Sequence, residues 1–143
     1  MNITFNTKKK KLSELKQLLH FLSDSYQPTL KSQVNIDVYA IKLNDLANFI
    51  FINDNLKTIG LLAYYISGEE SFITSIGIHK NYHGKKLGQI LFDYYIDIII
   101  QKKIQKIKLH VHHKNTKAQS FYLKNDFKFE NNKNSFIGTK YIK

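Results

Sequence analysis

The 143-residue chain contains no cysteine, no tryptophan and no arginine, and only one proline, Pro28. Without cysteine there is no disulfide framework, no thiolate metal or iron–sulfur site and no thiol nucleophile. No apolar run approaches the roughly 18 residues that a membrane-spanning helix needs. The strongest aliphatic cluster, Ile98–Ile100, is preceded directly by Asp97. No repeat, composition break or Pro/Gly-rich linker divides the chain, so one domain over 1–143 is expected. Four lysines, Lys8–Lys11, precede the first leucine cluster, where a secretion signal would carry an apolar core. A soluble, cytoplasmic protein that does not enter membranes is therefore expected.

The missing arginine qualifies the charge. The net charge is +11, from 22 basic and 11 acidic residues, and every basic residue is lysine. An excess of this size suits a nucleic-acid binder or the host of an anionic ligand. Lysine is a point charge and lacks the bidentate fork that reads guanine. The lysines are also scattered, alongside many isoleucines and asparagines. That composition fits A/T-rich coding, so part of the charge reflects codon usage.

Met1–Thr7 alternates weakly and reads as a first strand. Leu12, Leu15, Leu18, Leu19 and Leu22 recur at helical spacing and predict a helix over about 10–24. Lys8–Lys11 oppose its dipole, so a late start is expected. Ser25–Pro28 ends it, and Val34–Leu46 reads as a short helix. Asn48–Asn53 and Thr58–Ile66 read as a hairpin around Asp54-Asn55. Ser71–His79 reads as a third strand of that sheet, with Phe72, Thr74, Ile76 and Ile78 on one face. A helix over Leu87–Lys103, an alternating strand over Lys106–His113 and a helix over Asn115–Leu123 capped by Asn115 follow. Phe127–Glu130 and Ser135–Ile142 read as closing strands.

The stretch between Ile78 and Leu87 carries the chemistry. Tyr82-His83-Gly84-Lys85-Lys86-Leu87-Gly88 joins a strand to a helix. A helix N-terminus offers unpaired N–H groups to an anion, and glycine lets a phosphate approach the backbone closely. Lys85 and Lys86 add positive charge there. The spacing is neither G-x-x-x-x-G-K-[ST] nor G-x-G-x-x-G, and a plain tight turn explains two glycines equally well.

The order of parts resembles the GNAT superfamily of N-acetyltransferases. Ile78-His79-Lys80-Asn81-Tyr82-His83-Gly84-Lys85-Lys86-Leu87-Gly88 is similar to the family's acetyl-CoA loop, Q/R-x-x-G-x-G/A. Leu109, Val111, Asn115, Ala118, Tyr122 and Asp126-Phe127 follow its second signature. The resemblance is strong over Ile76–Phe127 and extends loosely upstream through Ile59–Tyr64. It departs from the pattern at three positions. His83 stands at the Q/R position, Lys86 at the middle glycine and Asp126 at the glycine before phenylalanine. A histidine can still donate to a phosphate. Lys86 is expected in a right-handed or extended backbone, since positive φ is uncommon for non-glycine residues. Aspartate tolerates left-handed backbone well.

The resemblance implies an α/β (α+β) fold: a mixed, mostly antiparallel sheet of six or seven strands with a splayed parallel pair, Phe72–Ile78 and Lys106–Val111. It implies acetyl-CoA as co-substrate, held by Ile76, Ile78, His83, Gly84, Lys85, Lys86, Gly88, Gln89 and Asn115. Tyr122 matches the general acid. Beside it, Phe121 and Tyr122 are not expected to face the core together. The base stays open between Glu70 and His110, and Tyr64 and Tyr65 are placed near the acceptor. No metal is expected, although His110 and His112 share a strand face.

Direct acetyl transfer to a small amine or amino sugar is the leading expectation. A protein or aminoacyl-tRNA amino group is the alternative acceptor, which leaves tRNA as a possible partner. A non-catalytic, basic nucleic-acid-binding domain is the reading from another class. A monomer or homodimer is expected, the latter through an exposed edge strand near the C-terminus.

Overall fold

Apolar residues run through Phe49–Ile52 and Ile59–Ala63 without a polar face, so these strands need a layer on each side. The computed structural model describes residues 1–142 and supplies both layers. The elements follow in the order β1 (Ile3–Asn6), α1 (Leu12–Leu22), α2 (Leu30–Gln33), α3 (Ile36–Leu46), β2 (Asn48–Asp54), β3 (Lys57–Ser67), β4 (Glu70–Ile78), α4 (Leu87–Gln101), β5 (Lys106–His112), α5 (Thr116–Lys124), β6 (Lys128–Asn131) and β7 (Ser135–Tyr141). The seven strands form one sheet in the order β1-β2-β3-β4-β5-β7-β6. Every neighbouring pair is antiparallel except β4 and β5, which are parallel. No helix among the described residues is long and apolar enough to cross a membrane.

One face is covered by α1–α3. Leu15, Leu18, Leu19, Leu22, Ala40 and Leu43 pack there on Phe49, Phe51, Leu61 and Ala63. On the other face, Leu87, Leu91, Phe92, Tyr95 and Ile99 of α4 pack on Ile50, Ile52, Leu62 and Ile107. Each such side chain, fully buried, contributes about 1.5–3 kcal/mol. Helix α1 starts at Leu12, late as expected, and Glu14 accepts the Lys11 N–H at 3.2 Å. Helix α2 is an addition to the sequence expectation, too short to show a period.

Two helix ends share one solution. After α4, Lys103 takes a left-handed φ of 58°, and Ile104 N–H reaches back to Ile99 O at 3.2 Å. After α5, Asp126 takes φ 69°, and Phe127 N–H reaches back to Tyr122 O at 3.1 Å. This termination pairs orphan carbonyls and brings the residue after the left-handed one onto the last turn. Phe127 thereby lands on Tyr122, with ring centroids 5.3 Å apart. The left-handed tolerance read for Asp126 holds.

The face assignment along β4 needs correction. The register of β3 with β4 shifts between Ala63 and Tyr64, so Thr74 is an extra residue without a partner in that ladder. Such a bulge reverses the alternation beyond it. Phe72 therefore lies opposite Tyr65 on the α1–α3 side, whereas Ile76 and Ile78 lie opposite Leu62 and Gly60 on the α4 side. The four residues do not share one face. Phe121 and Tyr122 also depart from expectation. Both reach the α4 cluster, because α5 buries a stripe broad enough for positions 100° apart.

Candidate functional site

The pairing of β4 with β5 stops at Ile73↔Leu109. Beyond it β5 stays with β7 as far as His112, while β4 stays with β3 as far as Ile78. The parallel pair therefore opens into a cleft of about 370 Å³. Thr74, Ser75 and Ile76 line one wall, and His110, Val111 and His112 line the other. Asn115 and Tyr122 enter from α5, and Tyr26 and Tyr39 enter from the opposite side.

The edge of β4 follows from strand alternation. His79 N–H pairs with Ile59 O on β3 at 2.8 Å. Backbone groups reverse direction at each residue, so the N–H groups of Ile76 and Ile78 face β5 and the cleft. An extended chain laid in the cleft can pair with such an edge.

Tyr122 is buried, and its ring packs edge-on against Phe121 and Phe127. No side-chain hydrogen bond acts on its hydroxyl among the described residues, although the side chain lines the cleft. Burial, and secondarily Tyr26 across the cleft, hold its pKa well above the ordinary tyrosine value. The phenol therefore stays protonated at neutral pH, as a proton donor must. Asn115 caps α5 by accepting Ala118 N–H at 3.1 Å.

At the β4–α4 loop, Gly84 has φ 78° and Lys86, the residue before the helix, has φ 61°. The expected right-handed or extended Lys86 is thus overturned. The chain must turn from the loop into α4 at that residue, and the turn overrides the side chain's preference. The first-turn N–H groups of Leu87, Gly88 and Gln89 have no intrahelical partner. A Cβ on Gly84 or Gly88 would meet nothing in the chain within 4 Å. Nothing inside the protein fills the space in front of these glycines, and exposed Lys85 and Lys86 flank it.

Two residues of the expected cradle are engaged within the fold. His83 Nε2–H donates to Ile78 O at 2.6 Å, so that nitrogen closes the loop onto β4. The Gln89 amide donates to Asp93 and to Asn125, each at 2.8 Å, and accepts from Asn125 at 3.0 Å. Only the Gln89 backbone remains for a ligand. Beside the loop, burial and then Lys57, Lys80 and His83 lower the pKa of His79, whose ring stacks on Phe21 at 4.1 Å.

The two base candidates separate. His110 lies on the cleft wall, edge-on to Phe72 at 5.5 Å. Glu70 begins β4, four residues before Thr74, and pairs with Lys106 at 3.5 Å and Lys108 at 3.9 Å. It is not among the lining residues, and no carboxylate is. Tyr64 is buried against Tyr95 on the α4 face, away from the cleft. Tyr65 lies on the α1–α3 face near Tyr39 and Thr74. His112 Nδ1 accepts Lys114 N–H at 3.0 Å.

Sequence reasoning missed Tyr26 and Tyr39. Both sit in the helical half, where nothing local marks them, and they reach β4 only across 49 and 35 residues.

Residues 15–127 match the model of the Acetyltransferase (GNAT) family. A candidate ribosomal protein bS18-alanine N-acetyltransferase of Bacillus subtilis (strain 168) is 28% identical over 81 residues, 57% of this chain and 54% of that protein. The chain thus spans about half the length of that curated relative. The fold is similar to the PaiA N-acetyltransferase of Thermoplasma acidophilum solved with coenzyme A (22% identity, 99% of this chain and 100% of that one, TM-score 0.81). It is also similar to the ribosomal-protein-S18-alanine N-acetyltransferase of Escherichia coli (14% identity, 99% and 94%, TM-score 0.82).

Proposed function

The chain belongs to the GNAT acetyltransferase family, and from that membership we propose that it moves the acetyl group of acetyl-CoA to the α-amino group of a peptide by direct attack. The observation that carries the reading is the cleft where β4 and β5 part, with the free Tyr122 hydroxyl lining it. Acetyl-CoA supplies a thioester carbonyl open to an amine. The N–H groups of Leu87–Gln89 and the exposed Lys85 and Lys86 hold its phosphates, in the space in front of Gly84 and Gly88. The edge of β4 at Ile76 and Ile78 binds the extended arm and stabilises the developing oxyanion. Tyr122 O–H gives its proton to the departing sulfur.

The lining supports this acceptor. No carboxylate faces the cleft to attract an ammonium or take its proton. An α-amine, with a pKa of about 7.7–8.0, is already about a quarter free base near pH 7.4, whereas an alkylamine of pKa about 10.4 is only about a thousandth free. His110, on the cleft wall, takes the remaining proton. The Bacillus relative's name, an alanine N-acetyltransferase, is in keeping with that acceptor.

The test uses the purified chain with acetyl-CoA and three acceptors: an alanine-initiated peptide, a polyamine and an amino sugar. The peptide is expected to be acetylated fastest, at its N-terminus. Tyr122→Phe is expected to lower kcat by about 10²–10³-fold while acetyl-CoA still raises the thermal midpoint. Faster turnover of the polyamine or amino sugar overturns the acceptor, and no midpoint shift at millimolar acetyl-CoA overturns the whole reading.

A further inference from the structure

The bulge that opens the cleft leaves backbone groups without ladder partners, and two tyrosines from the helical half meet it. Thr74, the extra residue of β4, has no partner in β3, and the pairing with β5 has ended one residue earlier. Tyr39 of α3 donates its hydroxyl to Thr74 O at 3.1 Å and lies 3.4 Å from Thr74 Oγ1. Tyr26, in the α1–α2 connection, shares a 2.6 Å hydrogen bond with Ser75 Oγ. Its ring also lies flush under β4, since a Cβ on Gly77 would fall 2.8 Å from the ring and from its hydroxyl. Three contact points within four residues, at 74, 75 and 77, are thus fixed from one side. The residues between and beyond them, Ile76 and Ile78, present the N–H groups that face the cleft.

We infer that Tyr26 and Tyr39 are positioning residues, which hold the free edge of β4 at the geometry that acyl transfer requires. The inference rests on the transfer reading above. Thr74 is half-buried, and its carbonyl left without a partner costs stability, so without Tyr39 the bulge relaxes towards some other partner. A strand edge with no second neighbour has no ladder to restore its position. Misplacement by about 1 Å can cost roughly 10²-fold in rate even when substrates still bind. The hydrogen bonds of the two tyrosines go to Thr74 and Ser75 and not to the β4–α4 loop, so the loop keeps its hold on the cofactor's phosphates. The edge of β4 also binds the cofactor's arm, so the KM for acetyl-CoA is expected to rise as well, but by less than kcat falls.

Tyr39→Phe, Tyr26→Phe, Ser75→Ala and the double variant Tyr26→Phe/Ser75→Ala test this. Each removes a hydroxyl and keeps the packing. Each single variant is expected to lose about 10–100-fold in kcat, with a smaller change in the KM for acetyl-CoA. The double variant is expected to be no slower than the worse single one, because both act through one hydrogen bond. A kcat for Tyr39→Phe within twofold of the parent overturns the inference, as does a loss carried by KM or an additive double variant. Amide hydrogen exchange gives a second readout that needs no turnover. The Ser75 and Gly77 N–H groups, on the β3 side, are expected to exchange faster in both phenylalanine variants while Leu61 and Leu62 do not change. Unaltered exchange at 75 and 77 overturns the positioning role, whereas absent turnover in the parent, with altered exchange, overturns only the transfer reading.

Discussion

At position 86 a lysine holds φ 61°. Left-handed backbone brings Cβ close to the following carbonyl and costs an L-residue roughly 1–2 kcal/mol. Lys86 makes no side-chain cap to offset that. Lys86→Gly is expected to raise stability by about 1 kcal/mol, less whatever glycine gains in the unfolded chain. A thermal midpoint higher by a few degrees checks this, and a lower midpoint refutes it. Asp126, in the same conformation at φ 69°, needs less relief. Its short polar side chain tolerates the left-handed region, and its carboxylate lies 3.7 Å from Lys140 Nζ.

At the scale of elements, α4 carries a glycine that its own packing does not explain. A Cβ at Gly88 would meet nothing within 4 Å, whereas one at Gly60 would fall 2.5 Å from Gly77 O in the neighbouring strand. Gly60 is required by the sheet. Gly88 costs the helix up to about 1 kcal/mol relative to alanine, with no internal return. In the proposed function the return comes from a phosphate that approaches the backbone. Gly88→Ala is therefore expected to raise the midpoint of the free protein while reducing or abolishing the shift caused by acetyl-CoA. Thermal scans with and without acetyl-CoA read both effects, and an undiminished ligand shift removes Gly88 from the cradle.

Over the whole molecule, buried and half-buried tyrosines are expected to set the alkaline limit. Burial is the first cause that raises the pKa of Tyr26, Tyr39, Tyr64, Tyr65, Tyr95 and Tyr122 above the ordinary value of 10.0. A group with a raised folded pKa contributes its full stability below its unfolded pKa and loses it as pH rises towards the folded one. Stability is therefore expected to be insensitive to these groups up to about pH 10 and to fall steeply above it. Urea midpoints from pH 8 to 11 test this, and a flat profile to pH 11 would refute it. Asp54 acts in the opposite sense. Hydrogen bonds from Tyr82 O–H at 2.8 Å and from Asn2 N–H at 3.1 Å lower its pKa, so its smaller contribution is lost only as pH falls below the usual carboxylate range.

The order of strands and helices was legible along the chain, because period-2 and period-3.6 patterns are local and each element here buries a face. Tyr122 and the Gly84–Gly88 loop were candidates only through their resemblance to the family's motifs, since by spacing alone a tight turn and a packing aromatic explain them equally well. The left-handed turn that seats Phe127 on Tyr122 is a local device, written in Asp126-Phe127. The opening of the cleft is not local. It depends on where β3 and β4 slip by one residue, and that register is set by pairing between segments whose own alternation gives no warning. Which side chains are free is equally non-local. His83 and Gln89 have the chemistry of ligand contacts, yet Ile78 O and Asn125 occupy them. Glu70 has the chemistry of a base, yet it lies where β4 still pairs with β5, beside two lysines and outside the cleft. Tyr26 and Tyr39 reach β4 only once the helical layer has packed on the sheet. Hydrogen bonds are short-ranged, so partners distant in sequence are decided by packing, which no spacing along the chain records.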